Sequence, residues 1–131
     1  MKLIKKKVLQ FYASLKSEWG EFYVHECNKN VRSVLAWFRL GGWIWQGIKM
    51  DECRMCPLCL MNDSAVHILC ECRELEEERV KMNECGKITD RWSVKHVVRI
   101  RDVKVLDKLA KYLNRARTKR QTAIKENLHT L

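Results

Sequence analysis

Residues 53–72 read CRMCPLCLMNDSAVHILCEC, and this stretch decides how the rest of the chain is organised. It contains Cys56-x2-Cys59-x7-His67-x4-Cys72, three thiols and one imidazole. Tetrahedral zinc accepts that donor set in closed structural sites. A gap of two residues lets one tight turn present two sulfurs to one ion, and the H-x4-C gap falls in the range of short zinc modules. A lone CxxC is weak evidence, but CxxC followed at close range by H-x4-C is strong. The alternative, a buried cluster of reduced cysteines beside a core histidine, leaves four coincident spacings unexplained. Two further cysteines blur the set: Cys53 makes an overlapping CxxC with Cys56, and Cys70 offers H-x2-C. Pro57 suits the second position of a turn and so favours the pair Cys56/Cys59. Cys70 ends the run Val66-His67-Ile68-Leu69-Cys70, which reads as the apolar start of a helix, where a free cysteine packs as a small hydrophobe. The expected ligands of Zn2+ are therefore Cys56, Cys59, His67 and Cys72, with Cys53 as the foremost competitor.

Outward from this loop the pattern is helical. Val8, Leu9, Phe11, Tyr12, Leu15 and Trp19 recur at threes and fours, a further run extends from Phe22 to about Cys27, and Val31, Val34, Leu35, Trp37, Phe38 and Leu40 form a third. Gly41-Gly42 stops the third. Trp43, Ile44, Trp45 and Ile48 make a short apolar lead into the metal loop. A polar helix is predicted from near Cys70 through Glu84, ending at Gly86. Asp102 reads as the N-cap of a last helix with Val105, Leu106, Leu109, Tyr112, Leu113 and Ala116 on one face. Residues 93–100 are the one candidate strand. The fold expected is mainly α: one small domain, 1–131, organised around a zinc-knuckle loop. Its parts are N-terminal helices (1–50), the knuckle (53–72), and charged helices with a basic tail (73–131). A core of this size is modest, so a structural metal adds folding energy.

The 131 residues carry a net charge of +10 and seven cysteines. An odd, clustered set does not suit a secreted disulfide framework, and zinc thiolates need a reducing compartment: cytoplasm, nucleus or an organelle matrix. No apolar run approaches a membrane span. Lys2, Lys5, Lys6 and Lys7 crowd the start, and nine Lys/Arg follow from Arg101 onward against Asp102, Asp107 and Glu126. Between Glu71 and Glu78 the sign reverses. Each run alone suits a solvated helix face; the two basic ends together point to phosphate. The candidate contacts are Lys5, Lys6, Lys7, Arg115, Arg117, Lys119 and Arg120. Trp19 and Trp37 read as core. Trp43 and Trp45, beside the knuckle, suit either core or stacking on unpaired bases, which favours RNA over DNA.

The segments Arg39-Leu40-Gly41, Cys56, Cys59, Asp63-Ser64, His67, Ile68-Leu69, Cys72 and Arg79 together resemble the zinc-binding segment near the C-terminus of non-LTR retrotransposon reverse transcriptases. The likeness covers about residues 31–80; the tail from about Val103 is similar only in general character. Asp63 stands where Glu is usual, and Cys53 and Cys70 are extra. The resemblance implies a CCHC zinc module that grips nucleic acid, as an excised C-terminal piece or a small derived protein. It does not bring polymerase activity, because no adjacent Asp-Asp pair is present to hold two metal ions. No catalytic role is expected otherwise. A CxxC redox centre normally starts a helix in a βαβ setting, and His25 and Cys27, two apart, would not face each other on a helix. The competing expectation is a zinc-stabilised protein–protein adaptor, or a fixed piece of a ribonucleoprotein such as a ribosome, contacting ribosomal proteins as well as RNA.

Overall fold

In the computed structural model, residues 26–50, 53–83 and 100–130 are described. The predicted helices before residue 26, the region 84–99 with most of the candidate strand, and Lys5, Lys6 and Lys7 lie outside them. The described chain is mostly helical, with one short two-stranded sheet.

Helix α1 (Lys29–Arg39) begins where the Asn28 side chain accepts the Val31 N–H at 2.9 Å, a standard way to satisfy a free donor of the first turn. Val31, Val34, Leu35 and Phe38, spaced three and four apart, form its buried stripe. It ends as the sequence predicts. Gly41 takes a left-handed φ of 76°, which glycine adopts without steric cost. Gly42 is needed for a different reason: a Cβ there would stand 2.4 Å from the Trp37 ring. The chain then turns through a 3₁₀ segment (Gly42–Gln46) that buries Trp43 and Ile44.

A hairpin of β1 (Ile48–Met50) and β2 (Cys53–Met55) carries the chain into the metal loop, with Ile48 opposite Met55 and Lys49 opposite Arg54. These strands correct the sequence expectation, which places its only strand at 93–100. Three-residue strands are too short to show alternation, and Cys and Met do not mark them.

The predicted helix from Cys70 to Glu84 also differs. Two helical residues lead into a wide π-type turn (His67–Glu71), Cys72 is extended, a 3₁₀ turn follows (Arg73–Leu75), and only then does α2 run (Glu76–Asn83). Cys72 breaks the helix because its side chain is committed to the metal cluster.

The last helix, α3 (Val103–Thr130), is close to expectation. Asp102 Oδ1 accepts the N–H of Lys104 at 2.9 Å. Leu106, Leu109, Ala110, Tyr112, Leu113 and Ala116 bury one face, joining the α1 stripe, Ile68, Leu69 and Leu75 in a single apolar cluster. Both α1 and α2 pack on α3. No described helix is long and apolar enough to cross a membrane.

Candidate metal centre

The CPLC turn forms because Leu60 N–H donates to Cys56 O at 2.9 Å and Cys56 N–H to Met61 O at 2.7 Å, closing the chain on itself behind the two sulfurs. Leu60 adopts φ 63° to do so, a left-handed conformation that costs an L-residue about 1–2 kcal/mol. Its side chain is 57% exposed. Leu60→Gly removes the strain at about 0.5–1 kcal/mol of lost backbone stiffness. The expected result is a metal-loaded protein with a slightly higher thermal midpoint. A lower midpoint would mean that the Leu60 side chain does more than the exposure indicates.

His67 and Cys72 come from the next turn. Ser64 Oγ accepts the His67 N–H at 2.9 Å and starts it. Residues five apart on an α-helix point about 140° away from each other. The π-type turn removes that offset: Cys72 N–H donates to His67 O at 2.8 Å, an i→i+5 bond that brings the two side chains to the same side. The H-x4-C spacing thus requires a local departure from α-geometry, and two side chains from outside the loop hold it there. The Tyr112 hydroxyl donates to Ile68 O, and Arg79 donates to Cys72 O at 2.6 Å and to Tyr112 at 3.3 Å. Burial pushes the Tyr112 phenol up to about 12, so the donor keeps its proton throughout the neutral range.

The four predicted ligands meet, with their donor atoms all within 4.8 Å of one another. Cys56 Sγ and Cys72 Sγ are 3.9 Å apart, and Cys59 Sγ and His67 Nε2 3.2 Å. Zinc with sulfur at 2.3 Å and nitrogen at 2.0–2.1 Å needs tetrahedral edges of about 3.8 and 3.6 Å, so the cluster fits the ion with small adjustments. The sulfurs are far beyond disulfide bonding, and the five cysteines whose side chains are described are all free. Cys56 and Cys72 are fully buried, and His67 is nearly so. Nε2 faces the sulfurs, while Nδ1 lies 4.0 Å from the exposed Glu71 carboxylate, beyond hydrogen-bond reach. The hydrogen shared with Cys72 draws the Cys56 sulfur down to about 4, aided by the Cys59 and Leu58 amides and the Arg120 charge against the opposing effect of burial. The same shared proton, together with burial, pushes Cys72 up. Burial also raises Cys59. Cys70 is half-buried against the core, as its hydrophobic role predicts. The backbone of Cys53 lies in β2, but its side chain is outside the described residues.

The predicted nucleic-acid contacts fare unevenly. Trp43 is 7% exposed and belongs to the core, which removes it as a stacking platform, whereas Trp45 is 48% exposed. Arg115 is exposed and pairs with Glu78 at 2.9 Å, with Lys119 3.6 Å from the same carboxylate. Burial raises Glu78, but the Arg115 hydrogen bond and the Lys81, Arg115 and Lys119 charges outweigh it and leave the carboxyl below its usual range. Arg117 lies over the Trp37 ring at 5.6 Å and donates to Asn114.

Arg120 is corrected outright. It is 0% exposed and grips Asp63, also 0% exposed, through two hydrogen bonds of 2.6 and 3.0 Å, so it cannot reach a phosphate. The signal is legible in the chain: Leu106, Leu109, Leu113, Ala116 and Arg120 continue one spacing of threes and fours, which puts Arg120 on the apolar face. The same count along the flank beside α2 puts Lys104, Lys108 and Lys111 in a single row with Arg115 and Lys119, a grouping that charge counting along the sequence does not make.

The chain matches no protein-family model, no curated protein and no solved structure.

Proposed function

We propose that this chain is a non-catalytic, zinc-stabilised nucleic-acid-binding module, favouring RNA, of the kind that ends non-LTR retrotransposon reverse transcriptases. In this reading it works as part of a larger ribonucleoprotein. The observation that carries nucleic-acid binding is the row Lys104, Lys108, Lys111, Arg115 and Lys119 along the flank of α3 that borders α2, with Lys108 partly buried and the other four exposed. At 1.5 Å per residue the row runs about 22 Å, long enough to track several successive phosphates. Asp107, 3.5 Å from Lys111, and Glu78, beside Arg115 and Lys119, offset part of its charge. Half-exposed Trp45 offers one ring for an unpaired base. The motif positions behind the family resemblance support the same reading through their roles: Gly41 ends α1, Ser64 starts the ligand turn, and Arg79 caps Cys72.

A salt titration tests it. Replacing Lys104, Lys108 and Lys111 with Gln spares the buried Glu78 cluster. For every phosphate that the variant no longer neutralises, the plot of log affinity against log salt should flatten by about 0.7–0.9, with sequence preference unchanged. Trp45→Ala should weaken single-stranded RNA by about 1–3 kcal/mol per stacked base with little effect on the slope. An unchanged slope in the lysine variant would reject phosphate binding by this row.

The second reading, a protein adaptor, is favoured by Leu60 and Met61. They project from the knuckle tip at 57% and 59% exposure, an apolar pair better suited to a protein surface than to phosphate.

A further inference from the structure

Every N–H of the Arg120 guanidinium has a partner. Nε donates to Gln46 Oε1 at 3.1 Å, Nη1 to Asp63 Oδ1 at 3.0 Å and to Cys56 Sγ at 3.7 Å. Nη2 donates to Asp63 Oδ2 at 2.6 Å and to the Trp43 carbonyl at 3.0 Å. Five donors are all that an arginine has. These five tie α3 to the Gly42–Gln46 turn, to the loop between Cys59 and His67, and to a sulfur of the metal cluster. Nearby, Gln46 also donates to the Arg117 carbonyl at 3.2 Å, so the turn grips α3 on both sides of Thr118.

A charge this deep is tolerated only while its counter-charge faces it. Asp63 is delivered by the metal loop, where its N–H is held by Arg54 O at 2.9 Å and its neighbours Cys59 and His67 belong to the ligand set. If the four ligands lose the ion that gathers them, the loop relaxes and Asp63 withdraws. Arg120 is then left charged in the interior and must carry its part of the helix out to water. In the other direction, a docked helix places Arg120 where it anchors Asp63 and donates to Cys56 Sγ, preparing half of the metal site.

We infer that Arg120 and Asp63 form an interlock through which metal binding in the loop and docking of the C-terminal half of α3 become one event. The inference rests on the metal centre and goes beyond it, since the ion then controls the seating of the helix that carries the basic row. Such coupling is reciprocal: whatever loosens α3 must weaken metal binding by the same factor. The first half of α3 depends less on the loop, because Leu106, Leu109 and Leu113 share the apolar cluster with the α1 stripe as well as with Ile68 and Leu69.

Hydrogen exchange on the full chain, with zinc and after chelation, tests the interlock alongside zinc affinity from competition with a chromophoric chelator. Removing zinc should raise exchange in 53–72 and in 117–126 far more than in 104–113. Arg120→Met/Asp63→Leu removes both charges, so no stranded ion unfolds the protein. In that variant the loop should still respond to chelation, the response of 117–126 should shrink several-fold, and zinc affinity should fall about 10–100-fold, as is typical when a partner behind the ligands is lost. Wild-type 117–126 that ignores chelation, or a double variant with undiminished zinc affinity, overturns the interlock and leaves the zinc centre standing. A wild-type chain that binds no zinc overturns both.

Discussion

Cys72→Ser and His67→Ala are each expected to cost the chain its tight hold on zinc and to unravel residues 53–72. Structural zinc contributes about 10–16 kcal/mol of apparent binding energy in small modules, and that energy is also folding energy. Shared evenly, one ligand of four is worth about 2.5–4 kcal/mol, or roughly a hundred- to a thousandfold in affinity. Cys72→Ser has a further consequence, because Cys72 is wholly buried and its carbonyl is the acceptor for Arg79. Loosening it disturbs the π-type turn that aligns His67. Cys70→Ser should be far milder, since that side chain is only half-buried and no donor atom of the cluster belongs to it. Acid should reproduce the ligand variants in the intact protein: zinc takes thiolates and neutral imidazole, so falling pH sets protons against the ion. Chelator competition and a thermal melt with and without chelator measure these effects. A melt indifferent to chelator removes the zinc assignment, and equal damage from Cys70→Ser and Cys72→Ser means that the fourth ligand is misassigned.

The ligand set is legible in the sequence because metal geometry constrains spacing more tightly than packing does. Two cysteines three positions apart need only one turn, whatever surrounds them. Helices α1 and α3 are legible for the ordinary reason that long apolar stripes with a cap at one end have few other solutions. The chain between the ligands is not. A sequence reads His67–Cys72 as helix because nothing local announces a π-type turn; the ligands demand it, and Tyr112, 44 residues from Ile68, together with Arg79, seven from Cys72, stabilises it. The hairpin is silent because three-residue strands carry no period. Charge misleads most. Arg120 sits between Lys119 and Gln121 in a basic tail and reads like its neighbours, although its place on the helix wheel is that of Leu113 and Ala116. Trp43 and Trp45, two residues apart, illustrate the same limit: on a tight turn one points into the core and the other out, and the sequence does not say which.

The buried pair also makes a sharp energetic prediction. Exposed ion pairs are worth about 0–1 kcal/mol, and Arg115–Glu78, with its arginine side chain 57% exposed, falls near that range. Arg120–Asp63 differs in kind, with both side chains at 0% exposure. Removing one partner leaves an unpaired buried charge, at a cost of about 3–5 kcal/mol, whereas replacing both with apolar groups of similar volume is often close to neutral. Arg120→Met and Asp63→Leu should therefore each destabilise the metal-loaded protein severely, and the double variant should recover most of the loss. Chemical denaturation at saturating zinc measures all four corners of the cycle, and strong non-additivity is the expected signature. High salt should barely change it, because buried pairs are poorly screened. If the two single losses simply add in the double variant, the ion pair contributes little by itself, and the hydrogen bonds of Arg120 to Gln46 and Trp43 must account for the destabilisation of its own variant. If instead Arg120→Met proves mild, the guanidinium reaches water in solution, which requires the end of α3 to stand away from the metal loop even with zinc in place.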